Sequence, residues 1–142
     1  MRSQRRRTHR PLPGLAKRET AWLIAQALTR RADGRSPADP ATWLCVAADL
    51  GVAVYPFTHA HGQRALYRGY PSEGATRGLI EFNDAYPPIE QARALVHELA
   101  HHYLCSWQPP LLADWADAYG YDDDPRCVHH QIARRVEKEI VG

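Results

Sequence analysis

The sequence has no apolar run of about 20 residues, the length that a membrane-spanning helix needs. Its N-terminus is charged but lacks the apolar core of a secretory signal peptide. Cysteine is scarce: Cys45, Cys105 and Cys127 are an odd number without regular spacing. This excludes a disulfide framework and favours free, buried thiols in a reducing compartment. These absences predict a cytoplasmic protein that does not bind membranes.

Acidic residues are missing from positions 1–18, which carry seven lysines and arginines. We expect this segment to be a disordered, solvated arm, and contact with nucleic acid or with an acidic partner is the alternative. The remaining residues, 19–142, are enough for one hydrophobic core and predict a single domain. No separate helix-turn-helix domain accompanies it, which argues against autonomous DNA recognition.

Hydrophobic periodicity predicts an α+β fold that is mainly helical, with a small three-stranded sheet, antiparallel or mixed. An apolar stripe runs from Trp22 to Leu28 in the first helix. Asp39 is the expected cap of the second helix, which should bury Trp43 and Leu44. The predicted helices are 19–31, 40–50, 89–104, 111–119 and 125–140, and the predicted strands are 52–57, 65–70 and 78–83.

The third long helix contains the pattern His-Glu-x-x-His, formed by His97, Glu98 and His101. Residues four apart lie on one helix face, so both imidazoles can reach one ion. Glu98 is rotated about 100° from His97, which places it beside the ion as a general base toward water. Two neutral nitrogen ligands with an adjacent carboxylate are typical of a catalytic zinc site.

A third protein ligand is expected from the last helix. His129 falls near the centre of the apolar stripe there, where a histidine needs a partner, and it is the preferred third zinc ligand. His130 on the flank of the stripe is the alternative, and Glu137 is a further candidate. Cys127 is a less favoured one.

Other polar residues are weaker candidates for a role at the site. His59 and His61 follow the first strand without rigid spacing, so we interpret them as loop residues. The aspartates 122–124 fit a solvated turn and helix cap better than a cation site. The sequence does not select an oxyanion donor among the nearby tyrosines, which are Tyr103, Tyr119 and Tyr121.

The run 78–84, Gly-Leu-Ile-Glu-Phe-Asn-Asp, followed by a proline-containing turn and by the helix segment 94–102, resembles the ImmA/IrrE family of zinc peptidases. Segment 50–57 is similar to that family's first strand. The resemblance implies a zincin-like metallopeptidase domain with His97 and His101 as zinc ligands and Glu98 as general base. It also implies action in the cytoplasm on a DNA-binding repressor, in phage or mobile-element regulation.

The chain departs from that family at the third ligand. The family usually takes it from a glutamate in a later helix, whereas segment 127–137 has histidine at the approximate position. A third histidine still makes a sound zinc site. The resulting hypothesis is a zinc-dependent metallopeptidase acting on a transcriptional repressor or a similar regulatory protein. The alternative is a non-catalytic, zinc-stabilised interaction module.

Overall fold

The computed structural model describes residues 14–69, 78–107 and 128–142, and within these ranges the chain forms four helices and a three-stranded sheet. The fold is therefore mixed α+β, as the periodicity predicts. The elements are α1 (Gly14–Ala32), α2 (Pro40–Asp49), β1 (Val52–Phe57), β2 (Ala65–Gly69), β3 (Gly78–Asn83), α3 (Pro88–Trp107) and α4 (Val128–Ile140). The helix predicted at 111–119 lies outside the described residues.

Helix α1 begins earlier than the sequence predicts. It starts at Gly14, so residues 14–18, which we assigned to the disordered arm, are helical. The cause is local and tertiary: Leu15, Ala16 and Lys17 are good helix formers, and the Lys17 ammonium donates to Gln131 Oε1 of α4 at 2.7 Å. Residues 1–13 of the arm lie outside the described ranges.

The core face of α1 differs from the predicted stripe. Ala21, Ile24 and Leu28 are buried, whereas Trp22 is 55% exposed. In α2, Trp43 is buried as expected, but Leu44 is 37% exposed. These stretches are apolar on more than one face, so sequence periodicity does not fix which side meets the core.

The ends of α2 follow the predicted local chemistry. The Asp39 carboxylate accepts a hydrogen bond from the Ala41 amide at 2.9 Å, and Pro40 occupies the first helical position. After the helix, Gly51 adopts φ 75°, a conformation that a residue with a side chain rarely takes. Of the cysteines expected to be buried, Cys45 on this helix is a free thiol but exposed.

The sheet has the order β1-β3-β2 and is mixed. Strand β3 pairs in parallel with β1 and antiparallel with β2, which leaves β2 at an edge of the described sheet. Gly78, Ile80 and Phe82 of β3 are buried on the face toward the helices. Asn83 ends β3 and the chain turns directly into α3, so the sheet leads into the histidine helix.

The core lies between the sheet and the four helices. Helix α4 packs on α1 and α3 through Val128, Ile132, Ala133 and Val136, all buried. None of the helices in the described ranges is long and apolar enough to cross a membrane. The largest fully buried apolar side chains are Ile24, Leu28, Trp43, Val46, Ile80, Leu95, Val96, Leu99, Leu104 and Ile132.

Candidate metal centre

Helix α3 presents two histidines one turn apart at the base of a cleft. His97 and His101 are both buried, with ring centroids 5.0 Å apart. Their helix is anchored on its other faces by Leu95, Val96 and Leu99, which are completely buried. The two imidazoles therefore sit on a rigid element at the border of the core, as the spacing predicts.

Helix α4 adds a third imidazole to this pair. The Nδ1 atom of His130 lies 3.2 Å from His97 Nε2 and 3.3 Å from His101 Nε2. One ring nitrogen from each of the three residues lies within 4.8 Å of the other two. The three histidines are close enough to hold a metal ion.

The preferred third ligand from the sequence, His129, is not one of the three. It is 1% exposed, and its ring centroid lies 6.4 Å from that of His101. The structure instead places His130, the alternative, beside the α3 pair. The centre of the α4 stripe packs into the core, and the flank of the stripe faces the cleft.

Glu137 contacts the cluster through His97. Its Oε2 atom lies 3.1 Å from His97 Nδ1, the ring nitrogen that does not face His130. A carboxylate at Nδ1 fixes the tautomer of the ring and leaves the Nε2 lone pair for a ligand bond. Glu137, kept as a further candidate ligand, is thus placed to orient His97.

Arg64 holds this carboxylate in place. Its guanidinium donates from Nη1 and Nη2 to the two Glu137 oxygens at 3.0 and 3.2 Å. Burial raises the pKa of Glu137, but the hydrogen bonds from His97 and Arg64 outweigh it, and the net pKa is lowered. The hydrogen bonds from Arg64 to Glu137 in turn raise the pKa of Arg64. The carboxylate therefore stays ionised beside His97.

The loop that carries Arg64 is tied down by Asn83 at the end of β3. Its Nδ2 donates to the carbonyls of His59 (2.7 Å) and Gln63 (3.1 Å). Its Oδ1 accepts from the amides of His59 and Ala85, both at 3.1 Å. The Asn83 amide also donates to the Arg64 carbonyl at 2.7 Å. A buried amide with all its polar atoms bonded fixes this loop against the sheet.

The cleft above the histidines has a volume of about 250 Å³ and lies between β2, α3 and α4. Glu98 is buried to 7% exposure and lines it, which puts a carboxylate beside the cluster as the motif predicts. The remaining lining residues are Gln63, Arg64, Ala65, Leu66, Tyr67, Ala94, His97, His101, His130 and Arg134.

Tyr67 is a cleft residue that the sequence reading missed. Its hydroxyl lies 2.8 Å from His102 Nδ1, which joins β2 to α3. The ring crosses Gly78, where a Cβ atom would come within 2.7 Å of it. The sequence signal for this contact is Gly78, because a glycine inside a strand often marks a place where another group approaches the backbone closely.

The other sequence candidates lie away from the cluster or outside the described residues. The Tyr103 hydroxyl accepts from Arg31 Nε at 3.1 Å and does not line the cleft. His59 and His61 are exposed loop residues, as interpreted, with the His61 amide donating to His59 Nδ1. Tyr119, Tyr121, the aspartates 122–124 and Cys127 fall outside the described ranges.

The buried histidines predict a pH-dependent stability of the metal-free protein. Burial, with a contribution from His130, lowers the pKa of His129 from 6.5 to about 4. Burial and the neighbouring imidazoles also lower the pKa of His101 well below its usual range. The folded state then binds fewer protons than the unfolded state, so stability falls as pH drops from 6.5 toward 4.

His129 alone accounts for up to roughly 3 kcal/mol of this loss, and no loss from these groups is expected above pH 6.5. Urea denaturation of the metal-free protein at pH 7.5, 6, 5 and 4 measures it. In a His129→Leu variant the slope of stability against pH should be shallower. A flat profile in the unmodified chain would contradict the burial of neutral imidazoles.

Comparison with known proteins adds no relative. No family model matches the sequence, and no curated protein and no solved structure matches it either. The function is therefore inferred from the geometry of the three histidines, Glu98 and the cleft.

Proposed function

We propose that this protein is a zinc metallopeptidase with a zincin-like active site. The observation that carries the proposal is the cluster of His97, His101 and His130 at the base of a cleft that Glu98 also lines. A catalytic zinc site combines three protein ligands with an open position for water or substrate, whereas structural sites use four. Among the described residues, three ligands converge, and they face a cleft.

The nitrogen spacing is compatible with zinc. Zinc–imidazole bonds of about 2.0–2.1 Å at tetrahedral angles put two ligand nitrogens about 3.3 Å apart. His130 Nδ1 lies 3.2 and 3.3 Å from the two α3 nitrogens. The donor set, three neutral imidazoles with one held by a carboxylate, is also one that zinc prefers.

The residues of the chain divide the reaction between them. Zinc held by the histidines would supply Lewis acidity to the scissile carbonyl and lower the pKa of the attacking water. Glu98 accepts the proton of that water and passes it to the leaving amine. Glu137 and Arg64 keep the His97 ring oriented throughout.

The substrate of this proposal is a polypeptide in extended conformation. Strand β2 forms one wall of the cleft and is an edge of the described sheet. An edge strand pairs with an extended peptide through main-chain hydrogen bonds, which would lay the peptide beside the histidines. The resemblance of 78–102 to the ImmA/IrrE family supports a transcriptional repressor in the cytoplasm as the protein substrate.

Chelation tests the proposal directly. The zinc-loaded protein should hydrolyse fluorescein-labelled casein, 1,10-phenanthroline should abolish the hydrolysis, and added zinc should restore it. Zinc content measured by mass spectrometry on the same samples should be about one ion per chain. One bound zinc without hydrolysis of casein or of repressor proteins would favour the non-catalytic interaction module. No zinc at all would overturn both functions.

A further inference from the structure

A second hollow with a mainly positively charged lining shares two residues with the cleft. This hollow, about 370 Å³ in volume, is lined by Arg64, Arg134, Glu137, Lys138 and Gly142. Arg64 and Arg134 line both the cleft and the hollow. A peptide bound in the cleft would therefore contact these arginines, which also border the hollow.

The positive charge of the hollow is only partly balanced by the protein. The single carboxylate in its lining, Glu137, is already bonded to Arg64 and to His97. Arg134 and Lys138 are exposed, and within the described ranges the structure records no ion pair for either of them. Two cations beside a binding cleft attract a ligand of negative charge.

These cations are spaced regularly from the metal-binding histidine. His130, Arg134 and Lys138 follow one another at intervals of four residues on α4. At 1.5 Å per helical residue, the two cations lie about 6 and 12 Å along the helix axis from His130. A peptide that lies extended along α4 advances about 3.3 Å per residue, so along such a path these distances correspond to about two and four substrate residues.

We propose that Arg134 and Lys138 form a subsite for acidic side chains of the substrate, about two and four residues from the cleaved bond on one side. This inference rests on the proposed peptidase function and gives it a substrate class, extended peptides with acidic residues close to the scissile bond. Arg64 lines both the cleft and the hollow, but its guanidinium is already paired with the Glu137 carboxylate, so we do not include it in the subsite.

Binding of two matched peptides tests the subsite. The probes are fluorescein-labelled decapeptides with alternating Ala-Glu or Ala-Gln sequence, which place a side chain of interest at every second position. Fluorescence anisotropy on the zinc-loaded Glu98→Gln variant keeps the peptides uncut. We expect the Ala-Glu peptide to bind roughly tenfold more tightly at low salt, with the preference declining as ionic strength rises.

Substitutions on α4 test whether Arg134 and Lys138 cause the preference for the Ala-Glu peptide. In the same background, the double variant Arg134→Ala/Lys138→Ala should reduce the preference to within about twofold. Arg135→Ala is the matched control, because Arg135 is exposed on the same helix but lines neither the cleft nor the hollow. It should leave the preference intact. Charge reversal by Arg134→Glu should favour the Ala-Gln peptide.

Equal binding of the two peptides, no binding of either, or a preference that survives the double substitution would overturn the subsite. Casein hydrolysis by the wild type is read separately, so the two proposals fail independently. Hydrolysis without acidic preference removes the subsite and leaves the peptidase. Acidic preference without hydrolysis leaves an anionic-peptide site on a chain that is not a peptidase.

Discussion

Replacing Glu98 by glutamine is expected to lower peptide hydrolysis about 10³-fold while the protein still binds one zinc ion. The amide has nearly the shape of the carboxylate but cannot accept a proton from water. The orientation of His97 is set by Glu137, which Arg64 holds in turn, so it is expected to survive this substitution. The measurement is kcat on a labelled peptide, with zinc content determined on the same preparation.

Glu139→Gln is the control for this substitution. Glu139 is an exposed glutamate on α4 that does not line the cleft, so its activity and zinc content should match the wild type. Activity retained in Glu98→Gln would exclude Glu98 as the base. Loss of zinc in that variant would place the carboxylate among the ligands and require a different proton acceptor.

Replacing His130 by alanine is expected to weaken zinc binding by more than a hundredfold. Changes to groups that only orient a ligand cost about 10- to 100-fold in metal affinity, and removal of a ligand costs more. His130 Nδ1 is the nitrogen shared by both short contacts of the cluster. Competition with a chromophoric zinc chelator at pH 7.5 measures the affinity.

His129→Leu separates ligation from packing. Leucine nearly fills the volume of the buried imidazole, so the variant should fold and keep zinc affinity within a few-fold of the wild type. Circular dichroism verifies folding in both variants. Zinc retained in His130→Ala but lost in His129→Leu would restore His129, the sequence's preferred ligand, and would mean that α4 is rotated relative to this structure.

The part of the site that sequence alone could predict is the part with local geometry. His97, Glu98 and His101 lie on one helix, and a rotation of 100° per residue determines their relative directions. The same holds for β3, whose alternating pattern places Ile80 and Phe82 toward the helices. For residues within one helix or one strand, the number of residues between them determines their relative positions in the structure.

The third histidine depends instead on how two helices pack. His129 and His130 differ by one step of rotation on α4, and the packing of Val128, Ile132 and Val136 decides which of them meets α3. A site that admits substrate lies at the border between core and cleft. The flank of an apolar stripe is therefore a better position for a ligand than its centre.

The roles of Arg64 and Tyr67 could not be predicted, because each depends on a partner that is distant in sequence. Arg64 acts on Glu137 across 73 residues of sequence, from a loop whose position Asn83 determines. Tyr67 reaches His102 because β2 pairs with β3. The sequence did not determine this pairing, since it left open whether the sheet is antiparallel or mixed. Long-range partners of this kind require the tertiary structure.

The three histidines of the cluster come from two helices, His97 and His101 from α3 and His130 from α4, so a bound ion would link the two helices. An ion shared by His101 and His130, which are 29 residues apart, would bind only the folded chain and would therefore stabilise it by its binding free energy. Arg134 and Lys138 are carried by the same helix. Under the proposed function, zinc supply would then change the stability of the folded chain, including the helix that carries the proposed subsite, as well as its chemistry.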